Sequence, residues 1–222
     1  MSMDFAALRC LPTNWEATMK NPIVALVLIL AGAVAADGAL AYGQRPEPTP
    51  AAAEHGLARP PVGWLQFCSM HPADCAVDRQ EEAQIDLDAR RWRLLTAINR
   101  KVNGAIVPQT DEEQWGVVES WNYPDSGRGD CEDYALLKRR LLAEAGLPRR
   151  ALRLAVVIDE NGEGHAVLMV RTDRGDLILD NKRDAVLPWL ATGYVFVKRE
   201  SQDFAGWTSL GHQGSEMTAS PR

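Results

Sequence analysis

The sequence predicts an α+β fold in which helices precede an antiparallel sheet built late in the chain. Three observations predict it. Apolar residues recur near helical spacing from Asp86 to Val102 and again beyond Gly129. From Leu152 onward, short β-rich runs alternate with turn signals at Asn161-Gly162 and Asp173-Arg174-Gly175. No internal repeat or low-complexity array intervenes, and 222 residues usually make one domain.

In the first helical stretch Leu87, Trp92, Leu95 and Ile98 share a face, and Arg90, Arg91 and Arg93 lie on others. Thr110 followed by Glu113 is a capping-box signal, which opens a short helix through Trp115 to Val118. A loop with Pro124 and Gly127 leads into GDCEDYALLKRRLLAEAG. There Tyr134, Leu137, Leu141 and Leu142 form an apolar stripe and Gly146 supplies the stop, so Cys131 stands at a helix N-terminus. Strands are predicted over Leu152 to Ile158, His165 to Arg171, Leu177 to Asn181 and Tyr194 to Lys198.

The N-terminal part reads as an export signal over residues 1–41. Lys20 precedes an apolar run from Ile23 to Gly32, then Ala33-Val34-Ala35-Ala36, with a second small-residue cleavage site at Ala39-Leu40-Ala41. Eighteen residues stand before Met19-Lys20, and Asp4 and Glu16 among them suit neither a positively charged n-region nor a folded domain, which predicts translation from Met19. The apolar run is shorter than the ~20 residues of a membrane span; an uncleaved anchor is the alternative to cleavage. Residues 42–61, rich in Pro and Ala, read as an extended linker, 62–207 as the folded domain and 208–222 as a polar tail. The expected location is periplasmic or secreted. With a net charge of −6 and scattered Lys and Arg, nucleic acid is excluded as a partner.

Signal removal takes Cys10 away and leaves Cys68, Cys75 and Cys131. An oxidising compartment favours a Cys68–Cys75 disulfide across a turn at Pro72, against the alternatives of two buried thiols or a metal site recruiting His71. Cys131 stays outside that pair. A thiol acts as a nucleophile only when ionised. The helix dipole contributes ~0.3–1 kcal/mol, whereas lowering a thiol pKa by roughly two needs about 2.7 kcal/mol, so a histidine partner is required. His55 lies in the linker, His71 beside the disulfide and His212 in the tail, which leaves His165, at the start of a strand. A two-residue hairpin loop at Asp173-Arg174 or Arg174-Gly175 pairs Asp180 with Val167 or Met169, which share the parity of His165. In the first register Asp180 is diagonal to His165 and within reach of its ring. Singly, each residue has a structural reading: a core cysteine, a satisfied strand histidine, turn residues at Asp180-Asn181. Jointly they form the constellation that nucleophilic amide chemistry requires.

The segments Trp121-Asn122-Tyr123-Pro124, Gly129-Asp130-Cys131-Glu132-Asp133-Tyr134-Ala135, His165-Ala166-Val167-Leu168 and Leu177-Ile178-Leu179-Asp180-Asn181 resemble the bacterial transglutaminase-like cysteine peptidases. That family includes the LapG-type periplasmic proteases, which release large adhesins from the outer membrane. The resemblance spans roughly Pro61 to Trp207 and implies a papain-like, transglutaminase-like core. It implies an exported cysteine peptidase with Cys131 as nucleophile, His165 as base and Asp180 as orienter. The Cys131 backbone N–H is a natural oxyanion donor; the Trp121 indole N–H is a second candidate, with a core role as its alternative.

The resemblance also implies calcium held by Asp130 and Glu132. Carboxylates at Asp130, Glu132 and Asp133 crowd the thiol and oppose its ionisation, which a cation would relieve; their alternative role is to favour the helix N-terminus unaided. By resemblance alone, the partners are a protein substrate such as a surface adhesin and an inner-membrane regulatory receptor. The Cys68–Cys75 segment and the Pro-rich stretch depart from the adhesin-protease pattern. Two rival activities share these residues: acyl transfer to an amine, as in true transglutaminases, and peptide binding without catalysis.

Overall fold

The computed structural model describes residues 44–214. The expected signal over 1–41, the start at Met19 and the tail beyond Gly214 lie outside them. Helices α1 (Val62–Met70), α2 (Pro72–Cys75), α3 (Ala89–Ala105), α4 (Asp111–Trp115) and α5 (Cys131–Glu144) precede most of the strands. The strands are β1 (Leu57–Ala58), β2 (Val107–Pro108), β3 (Arg128–Gly129), β4 (Leu152–Ile158), β5 (Gly164–Thr172), β6 (Gly175–Asp180), β7 (Arg183–Pro188), β8 (Val195–Glu200) and β9 (Trp207–Gly214). Seven form one antiparallel sheet in the order β1-β9-β8-β4-β5-β6-β7, and β2 and β3 form a separate parallel pair.

The central strands read as nearly continuous apolar runs because both sheet faces are covered. Leu154, Val156, Leu168, Val170, Leu177 and Leu179 pack on the helical side with Leu95, Leu136 and Trp64. Residues of the opposite parity, Ala155, Val157, Val167, Met169, Ile178 and Phe196, form a second core with Ala52. Ala52 belongs to the stretch expected as a linker, and that expectation is corrected here. Residues 44–58 strap the sheet: Thr49 N–H donates to Arg174 O (3.0 Å), Ala52 N–H to Asp176 Oδ2 (2.8 Å) and His55 N–H to Ser209 O (2.8 Å). Prolines preset an extended backbone, and their carbonyls still accept. Pro46 O takes the Arg174 guanidinium (2.9 Å) and Pro50 O takes the Trp189 indole N–H (2.7 Å).

Local signals account for the helix starts. Asp88 caps α3 through Arg91 N–H (2.7 Å), and Thr110 and Glu113 complete both halves of the capping box of α4 at 3.2 Å each. The helix expected to reach Val118 stops at Trp115, because Gly116 takes the left-handed conformation (φ 68°). The β5–β6 hairpin turns through Asp173-Arg174 with Thr172 opposite Gly175. Gly175 has φ 92°, and a Cβ there would sit 2.4 Å from Thr49 O, so both the turn and the strap require glycine.

The boundary expected at residue 207 is also corrected. β9 continues to Gly214, pairing with β8 on one side and β1 on the other, and it buries Trp207, Thr208 and Leu210. Its polar composition hid it. The Cys68–Cys75 bridge is present (Cα–Cα 5.6 Å) and ties α1 to α2. A chain ending at Gly206 would leave β8 paired only with β4 and remove Trp207, an aromatic whose burial alone is worth about 3–5 kcal/mol. Its thermal midpoint by circular dichroism should fall by about 10 °C or more. An unchanged midpoint would show that β9 is dispensable.

Candidate active site

The parallel pairing of Val107 with Arg128 and of Pro108 with Gly129 sets two helix N-termini side by side, because α4 and α5 each begin shortly after one of these strands. Asp130, the N-cap of α5, makes no side-chain cap to its own helix; its Oδ2 accepts the backbone N–H of Asp111, the first residue of α4 (3.2 Å). Gly129 must be glycine, since a Cβ would lie 2.6 Å from Asp133 Oδ2. Cys131 opens α5 at 1% exposure. Its Sγ accepts the backbone N–H of Ala166 (3.2 Å) and lies 3.2 Å from Glu132 Oε2. The sulfur is thus seated on β5 next to His165.

Leu168 pairs with Leu179, which puts Asp180 beside Val167 and diagonal to His165. His165 Nε2 and Asp180 Oδ1 are 2.8 Å apart, and both side chains are buried. Asp180 Oδ1 also accepts the Lys182 backbone N–H (3.0 Å), and Oδ2 accepts the Tyr194 hydroxyl (2.6 Å). Burial opposes ionisation of Asp180, but the hydrogen bond and charge of His165, with those of Tyr194 and Lys182, hold it well below the usual carboxylate range. An ionised Asp180 is an acceptor only, so Nε2 carries the proton. Nδ1 has no hydrogen-bond partner among the described residues and remains for proton exchange. Burial and the Asp180 charge push the Tyr194 phenol far above its ordinary value, which keeps it a donor. Tyr194 was read from sequence only as the start of a strand.

Asp130 and Glu132, the expected metal ligands, are buried together with a third acid, Asp111, and oxygens of the three lie within 4.8 Å of one another. The nearby Asp133 accepts the backbone N–H of Asn122 (2.8 Å), and Asp111 accepts that of Ser120. Burial raises all four carboxyl pKa values, and repulsion from neighbouring acids adds to it at Asp130, Glu132 and Asp133; Asp130 rises to about 7 and Asp133 to about 9. Asp111 Oδ1 and Asp130 Oδ1 are buried and have no hydrogen-bond donor among the described residues. An all-oxygen set with buried open acceptors fits a hard divalent cation such as calcium. Trp121, expected as an oxyanion donor, gives its indole N–H to Glu119 Oε1 (2.9 Å). Its ring is 1% exposed and meets Trp207 edge-on, which makes it a core residue.

A cysteine at a helix N-terminus, seated on an antiparallel sheet beside a His–Asp pair, is the arrangement of a papain-like thiol enzyme. The family model described as bacterial transglutaminase-like cysteine proteinase BTLCP matches residues 54–215, so the chain belongs to that family and is a cysteine peptidase. Among solved structures it is similar to calcium-bound LapG of Legionella pneumophila, at 23% identity and TM-score 0.47, over 58% of this chain and 74% of that one. The EGTA-treated form matches at 26% identity and TM-score 0.42, over 48% of this chain and 61% of that one. No curated protein matches significantly. No helix among the described residues is long and apolar enough to cross a membrane.

The raised carboxyl pKa values carry a pH signature. In a buffer stripped of divalent cations the native state retains protons that the unfolded chain releases near pH 4, so stability is lost as pH rises toward the folded values of about 7 and 9. Melting temperature should therefore fall between about pH 5 and pH 7; above pH 7 the buried Lys138, whose pKa burial lowers to about 7, acts in the opposite direction. Asp180 and Glu200, with lowered values, titrate below this window. A melting temperature that rises across the window would mean that the acid cluster is not the destabilising charge.

Proposed function

We propose that this peptidase hydrolyses a peptide bond in a cell-envelope or surface protein through Cys131, His165 and Asp180. The observation that carries the reading is the 2.8 Å His165–Asp180 hydrogen bond on the strand whose next amide, Ala166 N–H, reaches Cys131 Sγ. In the reduced enzyme the Cys131 thiolate attacks the scissile carbonyl, and the Cys131 backbone N–H stabilises the oxyanion. His165 protonates the leaving amine and the thioester forms. Water then attacks the thioester, His165 takes its proton, and the acid and the thiol are released. Asp180, fixed by Tyr194 and Lys182, holds the imidazole in the tautomer with Nε2 protonated.

Asp111, Asp130 and Glu132 are the residues that would hold calcium. When bound, the cation supplies positive charge that offsets the carboxylates around the thiol. An export signal over residues 1–41 supports a periplasmic or secreted location. The adhesin substrate and the inner-membrane receptor rest on family resemblance alone.

The test begins with wild type, Cys131→Ala and Asp180→Asn incubated with surface proteins of the producing cell in calcium, and new N-termini mapped by mass spectrometry. Wild type should generate discrete termini that Cys131→Ala does not. Asp180→Asn should slow their appearance by about a hundredfold or more, because it favours the wrong tautomer. Termini that persist in Cys131→Ala would refute the assignment of the nucleophile. An added primary amine found on the new C-termini would instead identify acyl transfer.

A further inference from the structure

The disulfide-bridged loop has no role in the chemistry above, yet it is wired to the acidic site. The Cys68–Cys75 bridge closes the α1–α2 corner, and that corner presents Asp74. Asp74 Oδ2 accepts the Tyr123 hydroxyl (2.8 Å), and Asp74 Oδ1 pairs with the Arg149 guanidinium (2.9 Å). Phe67 of α1 and His71 from the corner itself meet the Tyr123 ring edge-on, each with centroids 5.4 Å apart, and the Arg140 guanidinium lies 4.0 Å over that ring. Tyr123 is therefore clamped at its hydroxyl, its edges and its face. It belongs to the segment whose preceding amides serve the acid cluster: Asn122 N–H donates to Asp133 and Ser120 N–H to Asp111.

A rigid short segment matters here because its two amides must stay aimed at carboxylates that repel one another. Left loose, Asp111 would swing away from Asp130 and Glu132, and the oxygen set would open. A preorganised set binds a cation more tightly than one that must be ordered on binding.

We infer that the Cys68–Cys75 loop, acting through Asp74 and Tyr123, is a positioning strut that raises the cation affinity of the Asp111, Asp130 and Glu132 site. This rests on the cation reading of that site and adds to it the element that holds the ligands in place. Tyr123 suits the task chemically. Burial, then the Asp74 hydrogen bond and charge, push its phenol up to about 12, so it remains a donor at any physiological pH.

The experiment is calorimetric titration of the purified protein with calcium chloride, paired with thermal melts in excess chelator. Tyr123→Phe keeps the ring and removes only the donor; its calcium Kd should rise about three- to tenfold, the worth of one hydrogen bond. Cys68→Ser with Cys75→Ser should weaken binding at least as much, and Asp74→Asn, which still offers an acceptor, should bind more tightly than Tyr123→Phe. A loop that serves only folding would lower the melting temperature in chelator and leave Kd where it was. Calcium Kd within about twofold of wild type in both Tyr123→Phe and the double serine variant overturns the strut. Asp130→Asn separates the two readings: wild-type affinity in that variant would remove the cation site itself, whereas loss of binding there with full binding in Tyr123→Phe removes only the strut.

Discussion

The seating of the N-terminus of α5 against β5 is the constraint on which the site depends. A hydrogen bond from a backbone amide to a side chain, Ala166 N–H to Cys131 Sγ, joins the helix to the strand, and it forms only if α5 begins where it does. That start is fixed from two sides. Gly129 lets the chain pass against Asp133 without a side chain, and the β2–β3 pair stops α5 from sliding relative to α4. The capping box of Thr110 and Glu113 then gives α4 a defined first residue, so that Asp111 meets Asp130.

The molecule treats its buried acids in two ways. Glu200 is buried, but the charges of Arg139 and Arg153, with hydrogen bonds from Leu154 and Trp64, outweigh the burial and keep its pKa low. Asp180 is likewise held ionised by donors aimed at it. The acids at the start of α4 and α5 are raised instead, by burial first and, at Asp130, Glu132 and Asp133, by one another's charge, a state that costs stability near neutral pH. A fold that can satisfy a buried carboxylate at Glu200 and leaves several raised together beside Cys131 has spent stability where function is expected.

What could be read from sequence follows from range. α3, α5 and β4 to β6 carry their own periodicities and turn residues, and the parity of His165 and Asp180 follows from a two-residue loop. Asp111 and Tyr194 could not be found that way. Asp111 reaches the site through a parallel pair two residues long, too short to show any period, and Tyr194 reaches Asp180 after the chain has traversed β7 and the Trp189–Ala191 turn. The capping box at Thr110 was a usable clue, because it marks a helix start carrying an acid, but nothing local says which other helix start lies beside it. The Pro-rich strap failed for the opposite reason. Its composition is that of a solvated linker, and donors far away in sequence, Arg174, Trp189 and Ser209, are what reveal that its carbonyls are used.

The strap and the bridged loop brace opposite sides of one sheet. Ala52 of the strap packs on the face that carries the parity of His165, in one core with Val157, Val167 and Met169. The α1–α2 corner lies on the helical side and bears on the acid cluster through Tyr123. Cys131, presented between a helix and a strand, needs both surfaces held, because a shift of either by an ångström breaks the Ala166 hydrogen bond or the His165 alignment. In this chain, segments that contribute no reacting group are what keep the two surfaces in register.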